Sequence, residues 1–406
     1  MTTGTFDAVV VGGGPAGATA ATDLARAGRH VLLLDREGRI KPCGGAIPPR
    51  LIADFAIPEE LLVARVTAAR IVSPSAREAA MPVTEGGFVG MVDREHFDAW
   101  LRDRAVEAGA ERRAGTFVRI EPEDGATIVR YRPKGARPDA PLAALRTRAV
   151  IGADGALSAV GRQCVPGADA TPFVFAYHEI VRAPRDAPAA RYDGARCEVH
   201  YRGTLSPDFY AWIFPHGATV SVGTGSARKG FDLKDAVREL RALAGLDHVA
   251  TIRREGAPIP LRPLRRWDDG RNVVLAGDAA GVVAPASGEG IYYAMLGGRF
   301  AADAVDEFLA TGNARALAAA RRRFMRLHGP VFWMLGLMQS YWYGNDARRE
   351  RFVSICRDPD VQSLTWDAYM NKELVKARPL AHLRIFLKNL AHLTGLVPAW
   401  AREPAA

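Results

Sequence analysis

The stretch that most constrains this fold is Gly12-Gly13-Gly14-Pro15-Ala16-Gly17, placed between an apolar run and an alanine-rich one. Phe6 to Val11 reads as a buried strand interrupted only by Asp7. A helix is expected from the glycines to about Ala27, with Gly28 as its C-cap. His30 to Leu34 reads as a second strand and ends on Asp35, 18 residues after the last glycine (35 minus 17). G-x-G-x-x-G between a strand and a helix, with an acid closing the next strand, is a dinucleotide cradle. In such a cradle Gly12 allows the tight turn and Gly14 lets backbone approach a diphosphate. Gly17 lets the helix pack on the sheet, and Asp35 accepts from ribose hydroxyls. The motif alone leaves open which dinucleotide is held.

A second strand-to-helix turn lies far downstream. Asn272 to Ala276 reads as a short strand running into Gly277-Asp278-Ala279-Ala280-Gly281, then Pro285 and Gly288-Glu289-Gly290-Ile291. A helix is expected from Ile291 to about Leu309. The start of a helix offers unpaired N–H groups and partial positive charge, which suits the N1 and O2 edge of a reduced isoalloxazine. Gly288 and Gly290 open that start, and Asp278 is placed to accept from ribityl hydroxyls; the alternative is a glycine-rich turn without a ligand. A third apolar strand, Ala149 to Gly152, ends in Ala153-Asp154-Gly155, where Asp154 either pins the turn or touches the cofactor. The helix that follows Asp93-Arg94-Glu95 carries Arg94 and Arg102, each a diphosphate ligand or a solvated surface arginine. Cys43-Gly44-Gly45 marks a loop of close backbone approach, with Cys43 either beside a flavin ring or simply a small buried side chain.

Between Phe173 and about Ile259 the texture changes to β-branched and aromatic segments, which predicts an antiparallel sheet and a second domain. Within it Tyr210, Trp212 and Phe214 alternate, so they share one face of a strand. They form either an apolar substrate wall or ordinary sheet core. After Arg299 the chain reads as helical, with basic clusters at Arg321-Arg322-Arg323 and Arg326 and at Arg348-Arg349 and Arg351. Leu383, Ile385, Phe386, Leu387, Leu390 and Leu393 alternate with His382, Arg384, Lys388 and His392, as in a helical cap or a helix lying on a membrane.

Composition narrows the class further. Four cysteines with no CxxC pair argue against a zinc site or a disulfide framework and point to a reducing compartment, so no metal is expected. The net charge of +9 suits anionic surfaces or phosphorylated substrates, or is a solvated arginine-rich surface; no aromatic-and-basic nucleic-acid motif accompanies it. The N-terminus has no basic n-region, so no signal peptide is expected. No apolar run reaches the roughly 18–20 residues that a spanning helix needs. A cytoplasmic protein is expected, with peripheral contact to a membrane surface left open.

Three segments in this order resemble the FAD-dependent oxidoreductases of the p-hydroxybenzoate hydroxylase-like fold over residues 1–300. They are GGGPAG with Asp35, GADG at 152–155 and GDAAGxVxPxxGEGI at 277–291. KPCGG at 41–45 and PxxYxWxFP at 207–215 are similar to the geranylgeranyl reductase family. QSYWYGNDARRERFVSICRDP at 339–359 resembles its chlorophyll and bacteriochlorophyll branch. The resemblance implies FAD contacts at Ala16, Asp35, Cys43, Gly44, Arg102, Asp278, Gly290 and Ile291, with Val118 backing the adenine. One departure is that Asp35 stands where many relatives have Glu. Tyr210, Trp212 and Phe214 would line the prenyl site; the proton donor is left open among Cys43, Tyr210 and an ordered water. The implied reaction saturates a geranylgeranyl chain to phytyl, on a prenylated pigment or a prenyl diphosphate. NADPH is the implied reductant, with reduced ferredoxin as the alternative. A flavin monooxygenase shares the fold, as does a flavin-containing isomerase, cyclase or prenyl carrier. A flavin halogenase would need a Trp-x-Trp-x-Ile-Pro segment that this sequence lacks.

The expected architecture is α/β (α+β overall). A Rossmann-like FAD-binding domain (residues 1–75, 93–165 and 260–310) carries an inserted antiparallel-sheet substrate domain (76–92 and 166–259), and a C-terminal helical region (311–406) follows.

Overall fold

Phe6–Val11 is the buried centre of a parallel sheet in the computed structural model, which describes residues 4–83, 86–123, 125–184 and 192–372. Val31–Asp35 runs parallel to it on one side and Ala143–Gly152 on the other, with Ala8 opposite Val31 and Ala149. The start of Glu111–Glu123 lies outside Val31–Asp35, and Val273–Leu275 lies outside Ala143–Gly152. Phe6–Val11 (Asp7 apart), residues 31–34 and 149–152, and Val273–Leu275 are buried on both faces and so are apolar without alternation, as parallel sheets favour, whereas the start of Glu111–Glu123 is half-buried and charged. The end of Glu111–Glu123 and the start of Ala143–Gly152 pair antiparallel with Ala126–Pro133.

Helix Pro15–Arg26 packs between helices Arg94–Glu107 and Ile291–Thr311. The approach to the latter depends on small residues: a Cβ on Gly298 would stand 2.2 Å from the Ala16 carbonyl oxygen. This first unit comprises residues 1–41, 94–173 and 258–333.

The second unit comprises residues 42–93, 174–257 and 334–406. Its seven-stranded sheet runs in the order Thr251–Pro260, Phe173–Arg182, Thr219–Ser226, Ala211–His216, Arg196–His200, Ala68–Val72, Glu78–Pro82. A smaller sheet joins Ala46–Ile47, Val89–Val92 and Leu62–Val66. One face of the large sheet presents Tyr177, Val181, Ile213, Val220 and Val222 to helix Leu233–Leu243, which returns Val237 and Leu240. Asp232 caps that helix by accepting from the N–H groups of Lys234 and Asp235.

The units depart from the expected boundaries in two places. Residues 42–75 fall in the second unit, because Ala68–Val72 pairs parallel with Arg196–His200 and antiparallel with Glu78–Pro82. It so extends the large sheet, which is antiparallel from Phe173–Arg182 to Arg196–His200. The C-terminal helices form no separate body: residues 311–333 belong to the first unit and those from 334 to the second. Helix Asp346–Ile355 explains the latter. Glu350 accepts from the Ser73 hydroxyl and the Ser75 N–H, and Asp346 accepts from the Gly203 N–H. The stretch 382–393, expected as a helical cap or surface helix, lies outside the described residues. Among the described residues no helix is long and apolar enough to cross a membrane, and no cluster could hold a metal ion.

Candidate functional site

In the first unit the glycines of the first turn have separable roles. Gly12 takes φ +105°, and a Cβ there would meet the Ala153 carbonyl oxygen at 2.3 Å, so only glycine fits. A Cβ on Gly17 would lie 1.8 Å from the Gly12 carbonyl oxygen. Gly14 differs: a Cβ there would meet nothing within 4 Å. It stands before Pro15 as the N-cap of a helix that no side chain caps, so open space faces the helix start.

Asp35 turns towards this turn and accepts from the Gly13 N–H at 3.0 Å. Arg102, from helix Arg94–Glu107, donates to the Gly13 carbonyl at 3.3 Å and stands 3.7 Å from the Asp35 carboxylate. Its Nε is buried without a partner, an arrangement that a phosphate or ribose oxygen would satisfy. Arg94, the other arginine considered for the diphosphate, is held in a buried two-pronged pair with Asp98 at 2.8 and 2.7 Å, one helical turn away. Asp35→Ala is expected to weaken FAD binding about tenfold to a hundredfold, the worth of one or two hydrogen bonds to a charged acceptor. Fluorescence titration of the apoprotein measures it.

The second turn brings Asp278 beside another uncapped helix start. A Cβ on Gly290 would be 3.8 Å from Asp278 Oδ1, and no side chain caps Ile291–Thr311 at Gly290. Gly288 takes φ +66° just before it. Asp278 also pairs with Lys41, a residue to which sequence reasoning gave no role although it opens the KPCGG stretch. Val118 lies at a bulge in Glu111–Glu123, where the ladder shifts between Phe117 and Arg119; its carbonyl accepts from the Gln163 amide at 3.0 Å. A cleft of about 450 Å³ next to the end of the Asp35 strand is lined by Arg36, Glu37, Arg39, Thr116, Arg132 and Lys134, with Lys134 held by Glu37 at 2.7 Å. Asp154 pins its own turn. Its carboxylate accepts from the Ser158 hydroxyl and from the N–H groups of Ala159 and Val160, holding the start of Ala159–Cys164.

In the second unit, the sheet face opposite the helix-covered core carries the aromatic residues. Register places Trp212 opposite Gly223 and Phe214 opposite Ser221, with His178 beyond Gly223 on the next strand. Ring centroids run Tyr201–Tyr210 at 6.1 Å, Tyr210–Trp212 at 6.0 Å and Trp212–Phe214 at 6.3 Å. Tyr201 extends the row, and its hydroxyl lies 3.0 Å from that of Tyr343; burial pushes its ionisation well up, so it stays protonated. Arg349 anchors this end by donating to the carbonyls of Pro207 and Tyr343. Both partners, Tyr343 and Arg349, come from the 339–359 stretch.

At the other end the Cys43–Gly45 loop lies on the same face. A Cβ on Gly44 would be 2.8 Å from the Phe214 ring, and one on Gly45 would be 2.5 Å from the His216 ring. Cys43 Sγ accepts from the Gly45 N–H at 3.4 Å. His216, unmentioned by sequence reasoning, has its Nε2 3.0 Å from the Gly44 carbonyl, to which it donates. Burial holds its imidazole below the ordinary 6.5, with the Gly44 bond opposing. A depressed histidine stabilises the fold above the unfolded value and loses that contribution as pH falls through it towards the folded one. The melting midpoint is therefore expected to drop as pH goes from about 7 to about 5.5, with a shallower slope in His216→Gln, whose amide still donates to Gly44. Equal slopes would remove His216 from the account.

A family model described as FAD binding domain matches residues 64–321, and one described as pyridine nucleotide-disulphide oxidoreductase matches residues 6–113. The geranylgeranyl diphosphate reductase of Rhodobacter capsulatus is 58% identical over 97% of this chain and 98% of its own. The chloroplastic geranylgeranyl diphosphate reductase of Oryza sativa subsp. japonica is 37% identical over 95% of this chain and 85% of its own. Among solved structures, a geranylgeranyl bacteriochlorophyll reductase-like protein from Thermoplasma acidophilum superposes with a TM-score of 0.79 at 21% identity, covering 93% of this chain and 99% of that one. The first unit fits the FAD that the matched domain binds: two uncapped helix starts, the open space at Gly14 and the unpartnered Arg102 Nε are all present.

Proposed function

The chain belongs to the geranylgeranyl diphosphate reductase family, within the FAD-binding oxidoreductases, and on that premise we propose how its residues carry the saturation of a geranylgeranyl chain to phytyl. The observation that supports this most is the aromatic row Tyr210, Trp212 and Phe214, abutted by the Gly44 loop. Saturating an isolated trisubstituted alkene needs a hydride on one carbon and a proton on the other, and bound FAD supplies the hydride. Positive charge builds on the more substituted carbon, and the faces of the three rings stabilise it by cation–π attraction. The same rings exclude water and offer little polar register, which lets successive double bonds be presented in turn.

Gly12, Gly14, Ala16, Gly17, Asp35, Arg102 and Val118 hold the adenosine diphosphate part of FAD. Asp278, Gly288, Gly290 and Ile291 serve the ribityl chain and the ring edge, and Cys43 and Gly44 meet the ring. The proton donor is Cys43, Tyr210 or an ordered water; Cys43→Ser and Tyr210→Phe separate the two side chains by their effect on turnover, and turnover kept in both selects the water. NADPH is the reductant, with reduced ferredoxin as the alternative. The prenyl carrier is a bacteriochlorophyll, a chlorophyll or the free diphosphate. The enzyme works in the cytoplasm against the photosynthetic membrane, where exposed Leu327 and Trp333 beside Arg322 and Arg326 suit an anionic surface.

Anaerobic reduction of the holoprotein followed by a geranylgeranyl-bearing pigment or diphosphate tests this reading. Flavin reoxidation should accompany a product that gains hydrogens in pairs. A flavin that stays reduced until oxygen is admitted would move a monooxygenase to the front.

A further inference from the structure

Beneath the aromatic row runs a buried polar chain that the reaction as described does not use. Trp212 Nε1 donates to Ser221 Oγ at 3.1 Å. Ser221 Oγ lies 2.9 Å from His178 Nδ1, and His178 Nε2 lies 3.0 Å from Glu255 Oε2. Arg253 holds the other Glu255 oxygen at 2.9 Å. His178 and Ser221 are buried, whereas Glu255 keeps partial access to solvent.

Donor and acceptor roles follow from the inventory of each group. An indole N–H only donates, so Ser221 accepts from Trp212. The one serine proton then goes to His178 Nδ1. That leaves Nε2 as the protonated nitrogen, donating to the Glu255 carboxylate. Each hydrogen bond thereby fixes the next, from the charged pair at the edge to the indole in the row. An indole that donates to an oriented acceptor carries more electron density on its face, which strengthens its attraction for a cation. Ser221 lies directly opposite Phe214 in the ladder and under the indole, so the chain reaches a substrate on the outer side of the rings only through Trp212.

We propose that Glu255, His178 and Ser221 are positioning residues that orient the Trp212 indole and enrich its face, and so set how well the row stabilises the developing positive charge. The proposal rests on the reading of Trp212 as part of the prenyl wall.

A double-mutant cycle on the holoenzyme tests it, with kcat and KM for prenyl saturation measured in wild type, Ser221→Ala, Trp212→Phe and the double variant. Ser221→Ala is expected to lower kcat roughly fivefold to twentyfold with KM nearly unchanged, the size of one desolvated cation–π contribution. In the Trp212→Phe background, which lacks the N–H, the same change should have no further effect. Ultraviolet resonance Raman, taken as wild type minus Trp212→Phe, should show the Trp212 N–H band shifted in Ser221→Ala. His178→Asn, which keeps an acceptor towards Ser221, should retain more turnover than His178→Leu at equal thermal stability. Additive losses in the cycle, or a shifted Raman band with unchanged kcat, would overturn the chain. A wild-type kcat in Trp212→Phe alone would overturn the proposal too, since the row would then need no indole N–H, whereas a wild-type kcat in Trp212→Ala would overturn the wall reading beneath it.

Discussion

Gly14→Ala is expected to purify as a folded protein that no longer retains FAD. The backbone at Gly14 has φ −78° and ψ −174°, a conformation any residue adopts. The added methyl meets no protein atom within 4 Å, so packing does not resist it. The cost to the apoprotein is at most about 1 kcal/mol, the difference between glycine and alanine at an N-cap. The methyl does, however, occupy the space through which a diphosphate reaches the N–H groups of the helix start. FAD affinity is expected to fall about a hundredfold or more, since losing two or three hydrogen bonds to a charged group costs at least about 3 kcal/mol.

Gly17→Ala supplies the contrast. Its methyl would stand 1.8 Å from the Gly12 carbonyl oxygen, which is backbone and has no rotamer to escape into. That variant should lose at least about 3 kcal/mol of stability, the upper range of overpacking, or fail to accumulate as folded protein. Denaturant melts of the two apoproteins, read beside the ratio of flavin to protein absorbance after purification, separate the cases. A Gly14→Ala protein that keeps its flavin would show that the diphosphate lies elsewhere.

How much of this was legible in the sequence differs between the two units. The first unit was readable because its demands are local. A strand, a turn that admits only glycine, a helix and an acid at the next strand end fall within 30 residues, Phe6 to Asp35. Arg94 and Arg102 were also nameable as candidates on the helix after Asp93, although only the structure shows Asp98 one turn from Arg94 and the Gly13 carbonyl within reach of Arg102. The alternation of Tyr210, Trp212 and Phe214 gave their shared face at once, because the side-chain period of a strand is two.

What lies under that face was not legible. His178, Ser221 and Glu255 come from three strands, and their meeting depends on strand order and register, which no local pattern encodes. The division of the chain failed for the same reason. Ala68–Val72 carries no mark that it pairs with Arg196–His200, more than a hundred residues away, instead of with its neighbours in the first unit. Lys41, His216 and Arg349 were likewise unnameable, since each acts through a partner distant in sequence.

The second large effect is expected from Gly223→Ala, a change with no charge and one carbon. Gly223 forms the floor under Trp212: a Cβ there would stand 2.2 Å from the indole Cζ2 and 2.6 Å from the His178 Cβ. The ring has to lift, because His178 is fixed through Ser221 and Glu255 and the neighbouring contact is its stiff Cβ. Lifting breaks the 3.1 Å bond from Trp212 to Ser221 and tilts the indole out of line with Tyr210 and Phe214. Stability should fall by about 1–3 kcal/mol, as for other overpacked cores. Turnover should fall about a hundredfold or more, the scale of misplacing a group that meets the reacting carbon. Flavin content should hold, since Asp35, Arg102 and Gly14 belong to the first unit and Gly223 to the second. Gly194→Ala, whose methyl meets nothing within 4 Å, is the control for glycine substitution as such. Combining Gly223→Ala with Trp212→Phe separates strain from chemistry. The phenyl ring does not extend to the position of Cζ2 but leaves the 2.6 Å approach to the His178 Cβ, so the double variant should regain part of the stability lost in Gly223→Ala alone. It should not regain rate, because the indole is gone. Recovery of rate together with stability would mean that the floor at Gly223 matters only for packing, and that Trp212 takes no part in the saturation.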